Sequence, residues 1–145
     1  MLTADAVRLG LRAADKHDAI SQCGQVLLAI GAVEAPYLPA MHERETSIST
    51  YIGEQVAIPH GTDASRAHVL RTAIAVLQFP DGVDWNGNDV RLCIAIAADG
   101  DQHVKLLSAL ATVLLTPGKG EQLRGATDVP TVLTLLHQTD EEISA

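Results

Sequence analysis

A chain of 145 residues is the usual size of one compact domain, long enough to bury a sizeable core without covalent staples. A hydrophobic content of 47% and a mean hydropathy of +0.15 exclude a disordered chain. Ten basic against 18 acidic residues leave a formal net charge of -8, which argues against nucleic-acid binding by phosphate neutralisation. The two cysteines, Cys23 and Cys93, are too few and too far apart for a disulfide framework or a zinc site. No apolar stretch approaches the ~20 residues that span a bilayer, so no membrane insertion is expected. The opening residues carry no basic region followed by an apolar run. The expectation is a cytoplasmic domain covering residues 1–145.

In chain order, Val7-Arg8-Leu9-Gly10-Leu11 reads as a short strand. Asp15 precedes an amphipathic helix with Ala19, Ile20, Cys23, Val26, Leu27 and Ile30 at helical spacing, and Gly31 stands at the C-terminal cap. A second helix starts at Pro36, which the first turn tolerates, and runs to Arg44 or Glu45. Tyr51 to Gln55 reads as a turn. Val56-Ala57-Ile58 is a short extended run ending at Pro59. Val69–Phe79 and Val90–Ala97 read as central strands buried on both faces, with turns at Asp81-Gly82 and Asn86-Gly87. After Asp99-Gly100-Asp101 a long helix is expected with Val104, Leu107, Leu110, Ala111 and Leu114 on one face, stopped by Pro117-Gly118. A short segment around Glu121–Arg124 follows. A last helix capped by Asp128 would bury Val132, Leu133, Leu135 and Leu136, before a polar, frayed tail from Gln138 to Ala145. The fold class is α/β (α+β): a mixed, mostly parallel sheet flanked by helices on both faces.

Of six histidines, His17, His42, His68 and His137 read as surface or boundary residues. His60 is set differently. A packed extended run and a proline precede it and a glycine follows, which presents a polar side chain at a strand end. His103 opens the helix that follows a buried strand, at the strand's carboxyl end, where a helix N-terminus suits an anion. With Arg44 and Glu54 upstream, two sites are conceivable. A metal site lacks any H-x-H, H-x-x-H or H-E-x-x-H spacing. A phosphoryl-transfer site fits better: a neutral imidazole is a good nucleophile near neutral pH, and an arginine fork binds phosphoryl oxygens. Nucleotide machinery is not expected. Thr116-Pro117-Gly118-Lys119-Gly120 looks like part of a phosphate loop, but Val113 stands where that motif needs glycine and Gly120 where it needs Ser or Thr. Neither cysteine is placed as an exposed nucleophile.

Three segments carry a family resemblance. Tyr37-Leu38-Pro39-Ala40-Met41-His42-Glu43-Arg44-Glu45 is similar to a Y-x-x-A-M-x-x-R-E pattern. Thr50–Thr62, with Gly53-Glu54-Gln55-Val56-Ala57-Ile58-Pro59-His60-Gly61, is similar to a signature around a phosphorylated histidine. Asp101-Gln102-His103-Val104-Lys105-Leu106-Leu107 resembles the segment of a second histidine. The chain thus resembles the enzyme IIA component of the mannitol/fructose group of the bacterial phosphoenolpyruvate-dependent sugar phosphotransferase system, most of all the mannitol type. The resemblance implies that His60 accepts a phosphoryl group from the phosphocarrier HPr and passes it to a cysteine of an enzyme IIB of a IIBC permease. It implies Arg44 and His103 as holders of the phosphoryl oxygens and Glu54 as a nearby polar or acid/base group, with no cofactor and no metal. The fructose-type member and a regulatory phosphoacceptor of the nitrogen-related type are the alternatives.

Overall fold

The computed structural model describes residues 2–98 and 100–137. A five-stranded sheet runs in the order β1-β4-β5-β3-β2. Its strands are β1 (Val7–Arg8), β2 (Tyr51–Gly53), β3 (Val56–Ala57), β4 (Ala73–Trp85) and β5 (Asn88–Ala97). The helices are α1 (Lys16–Ala29), α2 (Tyr37–Ser47), α3 (Gly100–Leu115), α4 (Lys119–Arg124) and α5 (Val129–Leu135). The sheet is mixed, as expected, but not mostly parallel. β1–β4 and β3–β5 pair in parallel; β4–β5 and β2–β3 pair antiparallel.

The longest ladder explains the difference. β4 and β5 form one hairpin, closed between Trp85 and Asn88 by Asn86-Gly87, and a two-residue connection can only join antiparallel strands. Both loop residues have positive φ, 55° and 92°, the conformation an Asn-Gly pair supplies with little strain. Asp81-Gly82, the other expected turn, lies inside β4, where the register shifts between Gln78 and Val83. It is a bulge rather than a chain reversal.

The apolar strands alternate with period two between the two faces of the sheet. Ala57, Ala73, Ala75, Leu77, Cys93, Ala95 and Ala97 face α1 and α2, together with Ile20, Cys23, Leu27 and Met41. Val56, Ile74, Val76, Leu92, Ile94 and Ile96 face α3, α4 and α5, together with Leu106, Leu110, Val113, Leu123 and Val132. A full layer of helices on each side is what makes near-continuous apolar strands affordable.

Asp15 caps α1, its carboxylate accepting from the Asp18 N–H, and Asp128 caps α5 by accepting from Thr131. Several expectations shift: the strand expected at Val69–Phe79 runs from Ala73 to Trp85. β1 ends at Arg8 rather than Leu11, although the Leu11 N–H still bonds to the Gln78 carbonyl. Tyr51–Gly53 is a strand, and only Glu54 and Gln55 turn, at φ 55° and 63°. In α5, Val132 and Leu136 are buried while Leu133 and Leu135 are only half-buried. The face of α3 is rotated from expectation. Leu106, Ala109, Leu110, Val113 and Leu114 are buried, whereas Val104 is 67% exposed. This helix is apolar on most sides, so spacing alone admits two stripes and the sheet selects one. The expected frayed tail, Gln138–Ala145, lies outside the described residues.

Candidate active site

His60 ends the connection that leaves β3, and each link of that connection is tied. The Ile58 N–H donates to the Thr50 carbonyl (3.0 Å), and the Ile96 N–H of β5 donates to the Pro59 carbonyl (2.9 Å). The Gly61 N–H donates to the Tyr37 phenol oxygen (2.9 Å), whose own O–H donates to the Ile96 carbonyl (2.8 Å). Tyr37 thereby joins the start of α2, the end of β5 and the histidine loop. Gly61 serves here by its small size. A Cβ at this position would stand 2.6 Å from Cε1 of Tyr37 and closer still to Oγ of Ser65. Its φ is not in the left-handed region, so the glycine permits close packing rather than an unusual turn.

The imidazole of His60 is 8% exposed, and its Nδ1 lies 2.8 Å from the Ile58 carbonyl oxygen. A carbonyl only accepts, so the neutral ring carries its proton on Nδ1 and leaves the Nε2 lone pair free. His103, in the first turn of α3, stands edge-on to it, ring centroids 4.7 Å apart at 63°. Burial lowers the pKa of His60. The Ile58 hydrogen bond and the charge of Glu45 oppose that shift, while Arg44 and Arg66 add to it. His103 is pushed down to about 4, by burial first, then by His60 and Arg66, with Asp63 opposing and Arg44 adding. Both rings are therefore neutral at physiological pH. A neutral imidazole keeps one nitrogen lone pair able to act as a nucleophile and one N–H able to donate a hydrogen bond.

Of the sequence candidates, the structure brings His60, His103 and Arg44 together. Arg44 lies in the last turn of α2, where its Nη1 donates to the Ile48 carbonyl and its charge reaches both imidazoles. Among the described residues, Glu54 makes no side-chain hydrogen bond or ion pair with the histidines. It sits in the β2–β3 turn, with its carbonyl accepting from Arg124 Nη1 of α4 (2.8 Å). An apolar groove of about 300 Å³, lined by Ile52, Ile58, Leu107 and Leu114 among others, has Glu54 on its wall.

Three further residues escaped sequence reasoning. Tyr37 looked like an apolar helix residue. Arg66 lies in a stretch, Thr62–His68, with no periodic signal; it forms a 3-10 segment at Ala64–His68. Glu45 is an acidic side chain only 5% exposed. Its carboxylate accepts from Ser49 Oγ, from the N–H and Oγ1 of Thr50, and from Trp85 Nε1 at 2.6–2.9 Å. Those bonds pin the loop after Arg44 to β4, as a buried carboxylate requires. A helix-interior glutamate gives no sequence signal of burial. Cys23 and Cys93 are both free and buried, and a hydrogen bond between them, then burial, raises the pKa of the Cys93 thiol. Neither is poised as a nucleophile. Among the described residues no group of three or more His, Cys, Asp or Glu side chains is placed to hold a metal ion.

Comparison with known proteins decides the family. Residues 1–139 match the model of the phosphoenolpyruvate-dependent sugar phosphotransferase system, EIIA 2. The chain belongs to this EIIA family. It is 36% identical over 141 residues to the mannitol-specific phosphotransferase enzyme IIA component of Halalkalibacterium halodurans, covering 97% of each. Over 133 residues it is 44% identical to the multiphosphoryl transfer protein of Xanthomonas campestris, covering 91% of this chain and 16% of that protein. Its fold matches enzyme IIAMTL in the complex with phosphorylated enzyme IIBMTL from Escherichia coli. There the TM-score is 0.88 at 35% identity, covering 94% of this chain and 99% of the other. The EIIA fold here is the mixed sheet between two helical layers described above, and the resemblance read from the three sequence segments is that of the family found.

Proposed function

We propose that this EIIA chain is the phosphoryl carrier of a mannitol uptake system. His60 takes the phosphoryl group from phosphorylated HPr and delivers it to a cysteine of enzyme IIB. The observation that carries this reading is the tethered imidazole: Nδ1 is held by the Ile58 carbonyl, which leaves the Nε2 lone pair free on a ring that packs edge-on to His103 and feels the charges of Arg44 and Arg66.

The chemistry follows from that geometry. As the donor P–N bond breaks, the donor nitrogen recovers its electron pair and a P–Nε2 bond forms on His60. The proton stays on Nδ1 and is donated to the Ile58 carbonyl, so the ring ends the step as an N-phosphoimidazolium whose positive charge is offset by the phosphoryl dianion it carries. Transfer to IIB reverses the roles: the P–Nε2 bond breaks, a P–S bond forms on the thiolate, and the lone pair returns to Nε2. Phosphoryl transfer of this kind has a loose transition state, and catalysis consists of alignment and stabilisation of spread charge. Arg44 supplies positive charge with N–H donors, and neutral His103 supplies one further donor. The mannitol assignment and the IIB partner are supported by the relative matched along its whole length and by the solved complex. A cytoplasmic location accords with this role, and no helix among the described residues is long and apolar enough to cross a membrane.

The test is incubation with phosphoenolpyruvate, enzyme I and HPr, mapping of the label, and then addition of a mannitol-type IIB. Acid-labile phosphate on His60 that moves to IIB is the expected result. Label that persists in a folded His60→Ala variant would overturn the site. Label on His60 that never moves to IIB would overturn the carrier role and leave a regulatory phosphoacceptor.

A further inference from the structure

Arg66 is placed to act on the phosphoryl group, although nothing in its sequence surroundings marks it. It lies six residues after His60, on a segment that folds straight back. The Ser65 N–H and Oγ both donate to the Thr62 carbonyl, and the Arg66 N–H donates to the Asp63 carbonyl. Gly61 permits this return by letting Ser65 and Tyr37 close on the backbone beside His60. The guanidinium consequently stands within electrostatic reach of Tyr37, His60 and His103 together.

In this state Arg66 is engaged with a carboxylate: Nη2 lies 3.1 Å from Asp63 Oδ1, with the arginine side chain 36% exposed and the aspartate 94% exposed. An ion pair so open to water is weak and exchanges readily. A phosphoryl dianion on Nε2 of His60 offers the fork a stronger partner, with charge-assisted and bidentate hydrogen bonds in a less hydrated setting. We infer that Arg66 is a second phosphoryl-binding arginine of this site, held by Asp63 while His60 is unmodified and transferred to the phosphoryl oxygens during the reaction.

The division of labour between the two arginines then has a structural basis. Arg44 is fixed from α2 by its bond to the Ile48 carbonyl, whereas Arg66 is held by a partner that can turn to solvent. Arg66 contributes N–H bonds and charge only. No proton leaves it, and the bonds made and broken at phosphorus are those of the carrier cycle, on which this inference rests.

The experiment is single-turnover labelling by phosphorylated HPr of the wild type and of Arg66→Gln, Arg66→Lys and Asp63→Asn. Ring-proton NMR on each variant reports folding and the histidine titrations. Arg66→Gln should slow labelling by about tenfold or more, and Arg66→Lys, which keeps the charge and loses the fork, by less. His103 should titrate higher in Arg66→Gln, since a cation has gone. Asp63→Asn should label at least as fast as the wild type. A wild-type rate in Arg66→Gln overturns the assignment; if that variant does not fold, a wild-type rate in Arg66→Lys does the same. Slower labelling of Asp63→Asn overturns the release step, since Asp63 would then be needed to aim the arginine. An unlabelled wild type, or label that survives in His60→Ala, would instead sink the phosphoacceptor reading itself.

Discussion

The molecule contains two pairs of touching histidines. His60 and His103 meet edge-on with centroids 4.7 Å apart; His17 and His42 stack at 4.1 Å and 24°. In both pairs burial and then the neighbouring ring lower a pKa, that of His103 in one and that of His42 in the other. Proximity of imidazoles therefore does not distinguish a site from a surface contact. The surroundings do. His60 is tied at Nδ1 to a backbone carbonyl, mounted on a loop bonded to α2, to β5 and to Thr50, and acted on by the charges of Arg44 and Arg66. His42 is held at Nε2 by the hydroxyl of Ser21, a rotating group that leaves the ring tautomer open. The proposed reactive histidine is the one whose tautomer is imposed and whose ring feels two arginine charges.

Removing one ring from each pair tests that distinction most sharply. His103→Ala should slow phosphoryl transfer by ~10²-fold, the usual loss when a transition-state donor is removed. Equal single-turnover rates for His103→Ala and wild type would remove the ring from the mechanism. Gly61→Ala attacks the mounting rather than the rings. The added methyl must displace Tyr37 or Ser65, at about 1–3 kcal/mol in stability and with a shift of His60. Chemical denaturation measures the first and the labelling rate the second. A variant as stable and as fast as wild type would show that the tight packing at this turn is dispensable.

Tyr37→Phe keeps the ring and removes only the bridge, leaving the Gly61 N–H and the Ile96 carbonyl without their shared partner. A loss of about 1–3 kcal/mol is expected in denaturant melts. Acid should act next. A histidine whose folded pKa lies below its unfolded value of about 6.5 takes up protons more readily when unfolded. Stability is therefore full above that value and falls as pH drops through the window toward about 4, the level of His103. A loss of about 1–2 kcal/mol allows for the solvent screening of this partly exposed ring. In His103→Ala the acid-side slope should flatten; an unchanged slope would mean that other groups set it. The smallest effect belongs to the other pair. His42→Ala should leave labelling unchanged and cost no more than about 1 kcal/mol, the weight of one hydrogen bond. A large drop in its transfer rate would erase the contrast between the two pairs.

Local chemistry was legible where short-range rules act. Asp15 and Asp128 cap helices because a carboxylate accepts free N–H groups one turn on, and Asn86-Gly87 turns because those residues tolerate positive φ. His60 could be singled out by the presentation of a polar residue after Ile58-Pro59, His103 by its place at a helix start after a buried strand, and the roles of His103 and Arg44 by resemblance. What could not be read was whatever depended on which elements meet. Asp81-Gly82 carries a turn signal, yet the ladder resumes at Val83 because Asn86-Gly87 closes the same hairpin four residues later. α3 offers two apolar stripes, and contact with Ile94, Ile96 and Leu92 decides between them.

The sequence by itself determined the helices and their caps, the apolar strands and the choice of His60 as the candidate imidazole, because each rests on residues within about one helical turn of one another. Tertiary structure alone decided the parallel or antiparallel sense of each ladder and the tautomer of His60. It also decided that Tyr37 bridges the histidine loop and that the charge of Arg66 reaches both imidazoles. Those features rest on electric fields and hydrogen bonds between segments far apart in the chain, and such distances are set only when the two helical layers close on the sheet.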